Sequence, residues 1–404
     1  MKFRTTLYLF VVIVSFSSVG LSKDLSVHID FAGGSAEVES IDQQKRSIRL
    51  MPSNHRERGW RCWWYFRLEG LSAGETMSLD VGDAPWTTPD QAAFSADGRK
   101  TWEHTDIGKR EGKRIVYQYT AKTDGPHWFA WGPPFVLADA KQVVQEASKK
   151  GGDWATPFIL TQSRNGHDVP SIRIREAKAP SIGIWIHARQ HAWESGSSWV
   201  CRGFLEWLVS PDAAALRKHA EVVVTPIMDV DNVELGAGGK SQKPWDHNRD
   251  WREKPHWPEV AAAQKGIAAL NKEGRIHLFV DLHNPGANDK ETYFYITPRD
   301  TLSPKGLENL TAFTTDAKEF IVAIPYRGKL IESGAKYDPK NWRYISKNWV
   351  SELTHDSGAV AVTLETAWNT PGSDTDGYRA VGRQLGKAIE KYVERLVNKS
   401  EDGK

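Results

Sequence analysis

The stretch from Ile182 to Leu208 places the strongest constraint on the fold of this chain. Isoleucines alternate with other residues at a period of two through Ile182–His187, which is the pattern of a buried β-strand. Large apolar residues then recur on one helical face through Ser198–Leu208. A strand that leads so soon into a helix indicates an open α/β sheet, in which functional groups lie at the carboxyl ends of the strands.

His191 and Glu194 lie between this predicted strand and helix, three positions apart. A neutral imidazole and a carboxylate at this spacing can both reach one Zn²⁺ when the backbone between them turns. The pair alone is a weak signal, because 13 His and 51 acidic residues in 404 give about two such pairs by chance. A second pair, His256 and Glu259, stands between prolines without a preceding strand and is discarded. The strand-end position favours His191 as the metal ligand.

Residues 1–22 have the pattern of a secretory signal peptide. Lys2 and Arg4 precede an apolar run, Leu7–Val14, and small residues follow around Ser18–Ser22. The apolar run is shorter than the ~20 residues that a membrane-spanning helix needs, and no later segment approaches that length. We therefore expect an exported protein, periplasmic or secreted, without a stable membrane span.

Composition narrows the class of protein further. A length of 404 residues with 40% hydrophobic residues allows two domains with real cores. A net charge of +2 without a basic stripe argues against a nucleic-acid partner. Cys62 and Cys201 fall in different predicted domains, and we interpret them as two small buried hydrophobic residues rather than a redox pair.

Residues 23–136 contain short apolar and aromatic runs separated by Gly, Pro, Asp and Ser, which predicts an antiparallel β-sandwich. The tryptophans of this region allow a sugar-stacking platform, but packing of large aromatic rings is the better interpretation. The predicted strands are Ser26–Phe31, Trp60–Leu68, Thr76–Val81, Arg114–Tyr119 and His127–Trp131.

Residues 137–398 alternate apolar strands with helical patterns, which predicts an α/β sheet with helices on both faces. Asp229–Trp257 and Pro325–Asn341 read as long loops, and loops of that length are usually functional. The predicted strands are Phe158–Gln162, Ser171–Glu176, Ile182–His187, Glu221–Ile227, Ile276–Leu282, Thr292–Ile296 and Ala359–Leu364. The predicted helices are Ala138–Lys150, Ser198–Leu208, Trp257–Lys272 and Asp376–Val397.

Further polar groups follow or end predicted strands of this second domain. His283 is a candidate third zinc ligand that leaves one position open for water, and a structural loop histidine is an equal alternative. Asn248 and Arg249 can grip a carboxylate through forked hydrogen bonds, although a surface arginine is the ordinary interpretation. Glu365 can act as general base on a water held by the metal, or can be a satisfied ion pair. Asp281 can orient a metal ligand.

The order of these motifs resembles that of the zinc metallocarboxypeptidases, specifically an exported, bacterial-type member of the cytosolic-carboxypeptidase-like, deglutamylase-type subfamily. The resemblance covers nearly the whole mature chain. The stretches that carry it, besides the motifs already named, are Ala188–His191, Ser197–Val200, Gly203–Leu205, Trp63–Arg67 and Phe129–Trp131.

The resemblance implies a metallocarboxypeptidase fold preceded by a β-sandwich domain, with peptide or protein C-termini as substrates. It also implies one Zn²⁺ per chain, used in metal-assisted amide hydrolysis. The implied zinc ligands are His191, Glu194 and His283. The implied substrate-binding pair is Asn248 and Arg249, and the implied catalytic base is Glu365.

The sequence departs from the subfamily pattern at three places. Ala192-Trp193 replaces the usual Pro-Gly of the first motif, and Asn284-Pro285-Gly286 replaces Gly-His-Ser after the second zinc histidine. The loop arginine upstream of the Asn-Arg pair is missing, and Lys240 is the nearest cation. These departures leave the implied metal ligands and base intact and bear on substrate preference.

The subfamily often removes acidic C-terminal residues, which requires a cation in the side-chain pocket. Arg343 and Lys347 lie in a segment that resembles the pocket-lining stretch, and Lys240 is a third candidate; solvated surface charges are an equal interpretation of the first two. We expect a preference for C-terminal Glu or Asp. Two alternatives stay open at this point: cleavage of cell-wall peptides by the same chemistry, and a non-catalytic binding protein that uses the Trp-rich β-domain.

Overall fold

The computed structural model describes residues 23–82 and 88–402. The predicted signal peptide, residues 1–22, lies outside the described residues. None of the helices in the described ranges combines the length and the apolar character needed to cross a membrane.

The amino-terminal region consists of two five-stranded sheets. Their orders are β1-β4-β10-β6-β7 and β2-β3-β5-β9-β8. The strands are β1 (Ser26–His28), β2 (Glu37–Asp42), β3 (Ser47–Met51), β4 (Tyr65–Glu69), β5 (Thr76–Gly82), β6 (Ala93–Ser95), β7 (Glu103–His104), β8 (Lys109–Glu111), β9 (Arg114–Thr120) and β10 (His127–Ala130).

Aromatic rings join the two sheets into a sandwich. Tyr119 of one sheet lies 4.7 Å from Phe94 and 5.0 Å from Phe129 of the other, measured between ring centroids. Among the described residues of this region the strand pairs are antiparallel except β3 with β5, so the predicted antiparallel sandwich is confirmed with one parallel pair. Trp63 and Trp64 are buried, which makes them packing residues rather than a sugar-stacking platform.

The carboxyl-terminal region is one eight-stranded mixed sheet with flanking helices, in the order β11-β12-β14-β13-β15-β18-β16-β17. The strands are β11 (Ala155–Gln162), β12 (Asp168–Ile174), β13 (Ile182–Ala188), β14 (Ala220–Thr225), β15 (Ile276–His283), β16 (Thr292–Ile296), β17 (Tyr326–Glu332) and β18 (Val360–Glu365). The helices are α1 (Leu137–Gly151), α2 (Ser195–Leu208), α3 (Ala214–Arg217), α4 (Val230–Leu235), α5 (Pro258–Lys272), α6 (Pro304–Phe320), α7 (Ser346–Leu353) and α8 (Thr375–Asp402).

Four parallel strands form the centre of this sheet. β13 pairs in parallel with β14 and β15, and β15 pairs in parallel with β18. Every residue of β13, β14 and β18 is buried, as a sheet covered on both faces requires. The carboxyl ends of β13, β15 and β18 therefore meet at one edge of the sheet.

Helix α2 follows β13 and packs tightly against α8. A Cβ atom on Gly203 would lie 2.0 Å from the carbonyl oxygen of Arg379, and one on Gly382 would lie 2.0 Å from that of Val200. Glycine at both positions therefore lets the two backbones touch. This contact holds α2, the helix that begins directly after Glu194, against α8.

Several elements differ from the sequence prediction. The predicted loop Pro325–Asn341 contains β17, an edge strand in which Gly328 and Lys329 interrupt the apolar alternation. Helices α6 and α7 were not predicted. The predicted loop Asp229–Trp257 contains α4 and a short 3₁₀ turn, His247–Arg249.

Cys62 and Cys201 are both free and buried. Burial raises the pKa of each thiol. They are therefore the small buried hydrophobic residues that the sequence indicated.

Candidate active site

Two imidazoles and one carboxylate converge at the carboxyl edge of the sheet. His191 follows β13, Glu194 stands at the start of α2, and His283 is the last residue of β15. Each is buried and offers one ligand atom within 4.8 Å of the others. The Nδ1 atoms of His191 and His283 lie 2.7 Å and 2.6 Å from the two carboxylate oxygens of Glu194.

This donor set fits zinc. Two imidazole nitrogens and one carboxylate oxygen are ligands that Zn²⁺ prefers, and three protein ligands leave a position for water or substrate. Burial raises the pKa of Glu194, but the neighbouring charges of His191 and His283 outweigh it and bring the pKa to about 2. The carboxylate is therefore ionised, as a metal ligand must be.

Asp281 orients the second histidine, as the sequence predicted for it. Its carboxylate lies 3.0 Å from His283 Nε2, and Ser346 Oγ and Gln190 Nε2 each donate to it at 2.6 Å. The hydrogen bond at Nε2 leaves Nδ1 of His283 to face Glu194. Burial would raise the pKa of Asp281, but His283 and His187 hold it far below its usual range.

Arg189 closes the turn that carries His191. Its backbone is left-handed, with φ of 65°, and its buried guanidinium donates to the carbonyl oxygen of Ala192. A third donor reaches the carbonyl oxygen of Phe135 at 3.0 Å, in the segment before α1. Sequence reasoning gave this arginine no role of its own.

Glu365 ends β18 directly beside His283, which is its partner in the strand register. It lines a cavity of about 160 Å³ together with His191, Glu194, Asn248 and Arg249. One carboxylate oxygen, Oε2, is buried without a hydrogen-bond partner in residues 23–82 and 88–402. Burial raises the pKa of Glu365 to about 8, and a bound dication would lower it again.

Asn248 and Arg249 lie in the short 3₁₀ turn on the other side of His283. Asn248 Oδ1 accepts from the backbone of Ser346 at 2.9 Å, and its Nδ2 lies 3.3 Å from His283 Nε2. Arg249 Nε donates to Asp338 at 2.8 Å, and its Nη1 donates to the carbonyl of Asn248. No partner of Arg249 Nη2 is found among the described residues, so this donor remains for a ligand.

His247, the first residue of this turn, anchors it through contacts with surrounding buried residues. Its ring stacks on Trp257 with centroids 4.9 Å apart, and its two nitrogens lie 3.6 Å from carboxylate oxygens of Asp229 and Glu259. Burial lowers its pKa, but these carboxylates and Asp250 outweigh burial and raise the pKa to about 9. The raised pKa favours the protonated form of this buried imidazole, which its place in the polar loop did not reveal.

The three predicted cations have different positions. Lys240 lines the cavity, with Nζ 3.3 Å from His191 Nε2 and 3.8 Å from Asp246. Lys347 is fully buried in α7, and its Nζ donates to Ser333 Oγ, a residue that lines the cavity. The prediction of a pocket role for Arg343 is not supported, because its half-exposed guanidinium pairs with Glu352 outside the cavity.

Several cavity residues were not predicted from the sequence. Tyr293 and Tyr295 alternate along β16, which lies next to β18, so their period of two was a usable signal. Tyr337 and Ser333 come from the segment after β17, which read as a loop. Trp60 comes from the β-domain, and no sequence signal placed it at the cavity.

The sheet thus carries a buried triad of candidate zinc ligands and a glutamate at its carboxyl edge. Residues 140–275 match the family model Peptidase_M14, zinc carboxypeptidase. It is 30% identical to human cytosolic carboxypeptidase 6 over 280 residues, which are 62% of this chain and 55% of the relative. The chain covers 51–60% of the length of the first curated relatives.

Solved structures show the same fold across both regions. A metallo-carboxypeptidase from Burkholderia cenocepacia is similar with a TM-score of 0.78 and 20% identity, over 92% of this chain and 100% of that chain. A metallo-carboxypeptidase from Pseudomonas aeruginosa, in complex with (2-guanidinoethylmercapto)succinic acid, has a TM-score of 0.75 and 19% identity over 92% of this chain and 100% of that chain. The predicted fold class is therefore confirmed.

Proposed function

We propose that this protein is a zinc-dependent carboxypeptidase that removes the last residue of peptides or proteins. One observation carries the proposal. The candidate metal-ligand triad, the buried Glu365 and Arg249 all line or adjoin one cavity, and within residues 23–82 and 88–402 one oxygen of Glu365 and one donor of Arg249 have no hydrogen-bond partner. Such an arrangement suits a substrate that ends in a free carboxylate.

Each group at the site has a separate role in the proposed reaction. Zinc, when bound, supplies Lewis acidity that polarises a carbonyl and lowers the pKa of water. Glu365 takes a proton from the attacking water and returns it to the leaving amine. Lys240 places an ammonium on the His191 side of the cavity, where it stabilises the negative charge that develops on the carbonyl oxygen.

Recognition of the substrate's end falls to the turn at Asn248 and Arg249. Asp338 and the Asn248 carbonyl hold the guanidinium, so that Nη2 is oriented before substrate arrives. A planar guanidinium pairs with a carboxylate through directed hydrogen bonds. A peptide with an amidated C-terminus loses this contact and serves as the negative control.

We further propose a preference for acidic C-terminal residues. In the part of the chain that the structure describes, the hydrogen-bond partners of Lys347 Nζ are the neutral oxygens of Ser333 and Asn348. Burial first, and then Arg249, lower the pKa of Lys347 well below its usual range. Ser333 Oγ accepts a hydrogen bond from this amine, and its own hydroxyl can donate into the cavity. An acidic substrate side chain placed there would favour the ammonium form of Lys347.

Two peptides that differ only in the last residue, Glu or Leu, test this preference. We expect zinc-loaded protein to cleave the Glu peptide about tenfold faster in kcat/KM, and Lys347→Met to abolish the difference. Mass spectrometry with and without chelator measures the release of the last residue. Equal cleavage of both peptides would remove the acidic preference and leave the carboxypeptidase proposal intact.

Export to the periplasm or out of the cell remains our proposal from the pattern of residues 1–22. An exported enzyme meets peptides of the cell wall as well as proteins, and both offer amide bonds beside a free carboxylate. Fractionation of cells that express the full chain tests the location, and cell-wall peptides belong in the substrate panel.

A further inference from the structure

The β-domain reaches into the active site through one loop. Residues 57–60 run beside residues 239–243 of the catalytic region, and we call this contact the interdomain clamp. Three main-chain hydrogen bonds of 2.9 Å form it: Trp60 N to Lys240 O, Gly239 N to Arg58 O, and Lys243 N to Glu57 O. The segment that carries Lys240 is thus held by a different region of the chain.

Glycines bring the two backbones into contact at the clamp. Gly59 has φ of 94°, and a Cβ atom on it would lie 2.6 Å from the carbonyl oxygen of Lys240. A Cβ atom on Gly238 would lie 2.1 Å from the carbonyl oxygen of Trp60. At these two glycines the segments therefore lie main chain against main chain, with no room for a side chain between them.

The clamp places the indole of Trp60 in the cavity wall. Lys240 Nζ lies 5.8 Å from the centroid of this ring. Trp63 and Trp64, in the same run, are buried inside the β-domain, whereas Trp60 is only partly buried. This tryptophan therefore differs from its neighbours in facing the site.

Separate contacts lead from the metal triad to Arg249 and to Trp60, both of which line the cavity. On one side of the triad, His283 contacts Asn248, whose carbonyl accepts from Arg249. The guanidinium of Arg249 lies over the ring of Tyr337. From the same triad, His191 contacts Lys240, and the ammonium group of Lys240 lies over the ring of Trp60. With the terminal carboxylate assigned to Arg249 and the scissile amide to the triad, the part of the cavity beside Lys240 and Trp60 remains for the preceding substrate residue.

We propose that Trp60 is a specificity-determining residue for the substrate residue immediately before the scissile bond, where it favours an aromatic or large apolar side chain. The inference rests on the proposed function. An indole face gains from stacking and from covering apolar surface, and glycine at that substrate position offers neither.

Two peptides with the same last residue, and with Phe or Gly before it, test the inference. We expect Trp60→Ala to lower kcat/KM for the Phe peptide about tenfold and to change that for the Gly peptide less than about twofold. Trp60→Phe keeps a ring and should retain most of the preference. Glu57→Ala is the matched control. Glu57 lies in the same loop, its side chain is exposed, and its main-chain hydrogen bond to Lys243 does not involve the side chain.

Zinc content and the thermal midpoint of each variant establish that the fold is kept. If Trp60→Ala does not fold, Trp60→Leu tests the same loss of the ring. Equal losses for both peptides, or none, would overturn the inference while wild-type hydrolysis stands. Absence of chelator-sensitive hydrolysis by wild-type protein would overturn the proposed function and this inference together.

Discussion

The three side chains of the candidate metal site are buried to an unusual degree for ionisable groups. His191, Glu194 and His283 are each no more than 4% exposed. Buried charges are costly unless they are paired or bind a metal, so the three side chains depend on one another. Loss of one ligand should therefore reduce metal binding before it reduces the stability of the fold.

We expect His191→Ala and His283→Ala to lose zinc, measured per chain by elemental analysis after dialysis. His256→Ala is the control, since His256 belongs to the discarded second pair, bonds Arg164 and does not line the cavity. Glu365→Gln should keep one zinc per chain and lose about 10²–10⁴ in kcat. Full zinc in the double histidine variant would contradict the ligand assignment.

His247 gives the fold a pH dependence of its own. Its pKa is about 9 in the folded chain, against 6.5 for a free histidine. The folded state thus binds the proton more tightly, so this contribution to stability is complete below pH 6.5 and is lost as pH rises through 9. We expect the free energy of unfolding of zinc-saturated protein to fall by about 3 kcal/mol over that interval.

Denaturant titrations between pH 6 and 10, on wild type and His247→Gln, measure this contribution. The groups that face the imidazole are Asp229, Glu259 and Asp250, and all three stay in the variant. The difference in stability between the two proteins should shrink with rising pH. Parallel curves would show that His247 does not carry the proton.

Sequence reasoning placed some site residues better than others, for physical reasons. His283 and Glu365 end buried strands and His191 closely follows one, and a parallel sheet brings such ends to one edge whatever the loops do. The local sequence pattern does not determine the direction in which a side chain points from a short turn. For this reason the expected pocket position of Arg343 is not the one that the structure shows. His247 and Trp60 depend on contacts between segments distant in sequence.

Among elements, the α2–α8 contact links the fold to the metal centre. Gly203 and Gly382 let the helices meet backbone to backbone, and α2 begins directly after Glu194. Periodicity alone predicts both helices, because their apolar faces repeat over many residues. It does not predict β17, an edge strand with an irregular pattern, or α7, which is only eight residues long.

Gly203→Ala should destabilise the protein by about 1–3 kcal/mol, because the added methyl group must push the helices apart. Gly306→Ala is the matched control in α6, where the nearest atom to the new Cβ is a side-chain oxygen at 3.3 Å and alanine is the better helix former. Chemical denaturation measures both. Equal stability of Gly203→Ala and wild type would show that the helices can separate freely.

Over the whole molecule, one apolar core crosses the boundary between the two regions. Trp131 follows the last strand of the sandwich and lies 5.0 Å from Trp193 and 4.6 Å from Trp368, between ring centroids. Phe135 and Trp64 belong to the same buried cluster. Neither region can therefore lose its packing without exposing large rings of the other.

We expect zinc-saturated full-length protein to unfold in one calorimetric transition, with equal calorimetric and van't Hoff enthalpies. Independent domains, the ordinary expectation for a chain of this length, would give two transitions or a broadened one. Scans at several heating rates separate a true single transition from one set by aggregation.

The interdomain clamp also restricts how such a protein can be recombined. A chimaera joined between residues 136 and 137 takes residues 57–60 from one parent and residues 239–243 from the other. Because Gly59 and Gly238 each lie against the main chain of the other segment and leave no room for a side chain, both parents must supply glycines that match. A working chimaera is therefore expected to need both segments of the clamp from one parent, although they lie on opposite sides of the junction.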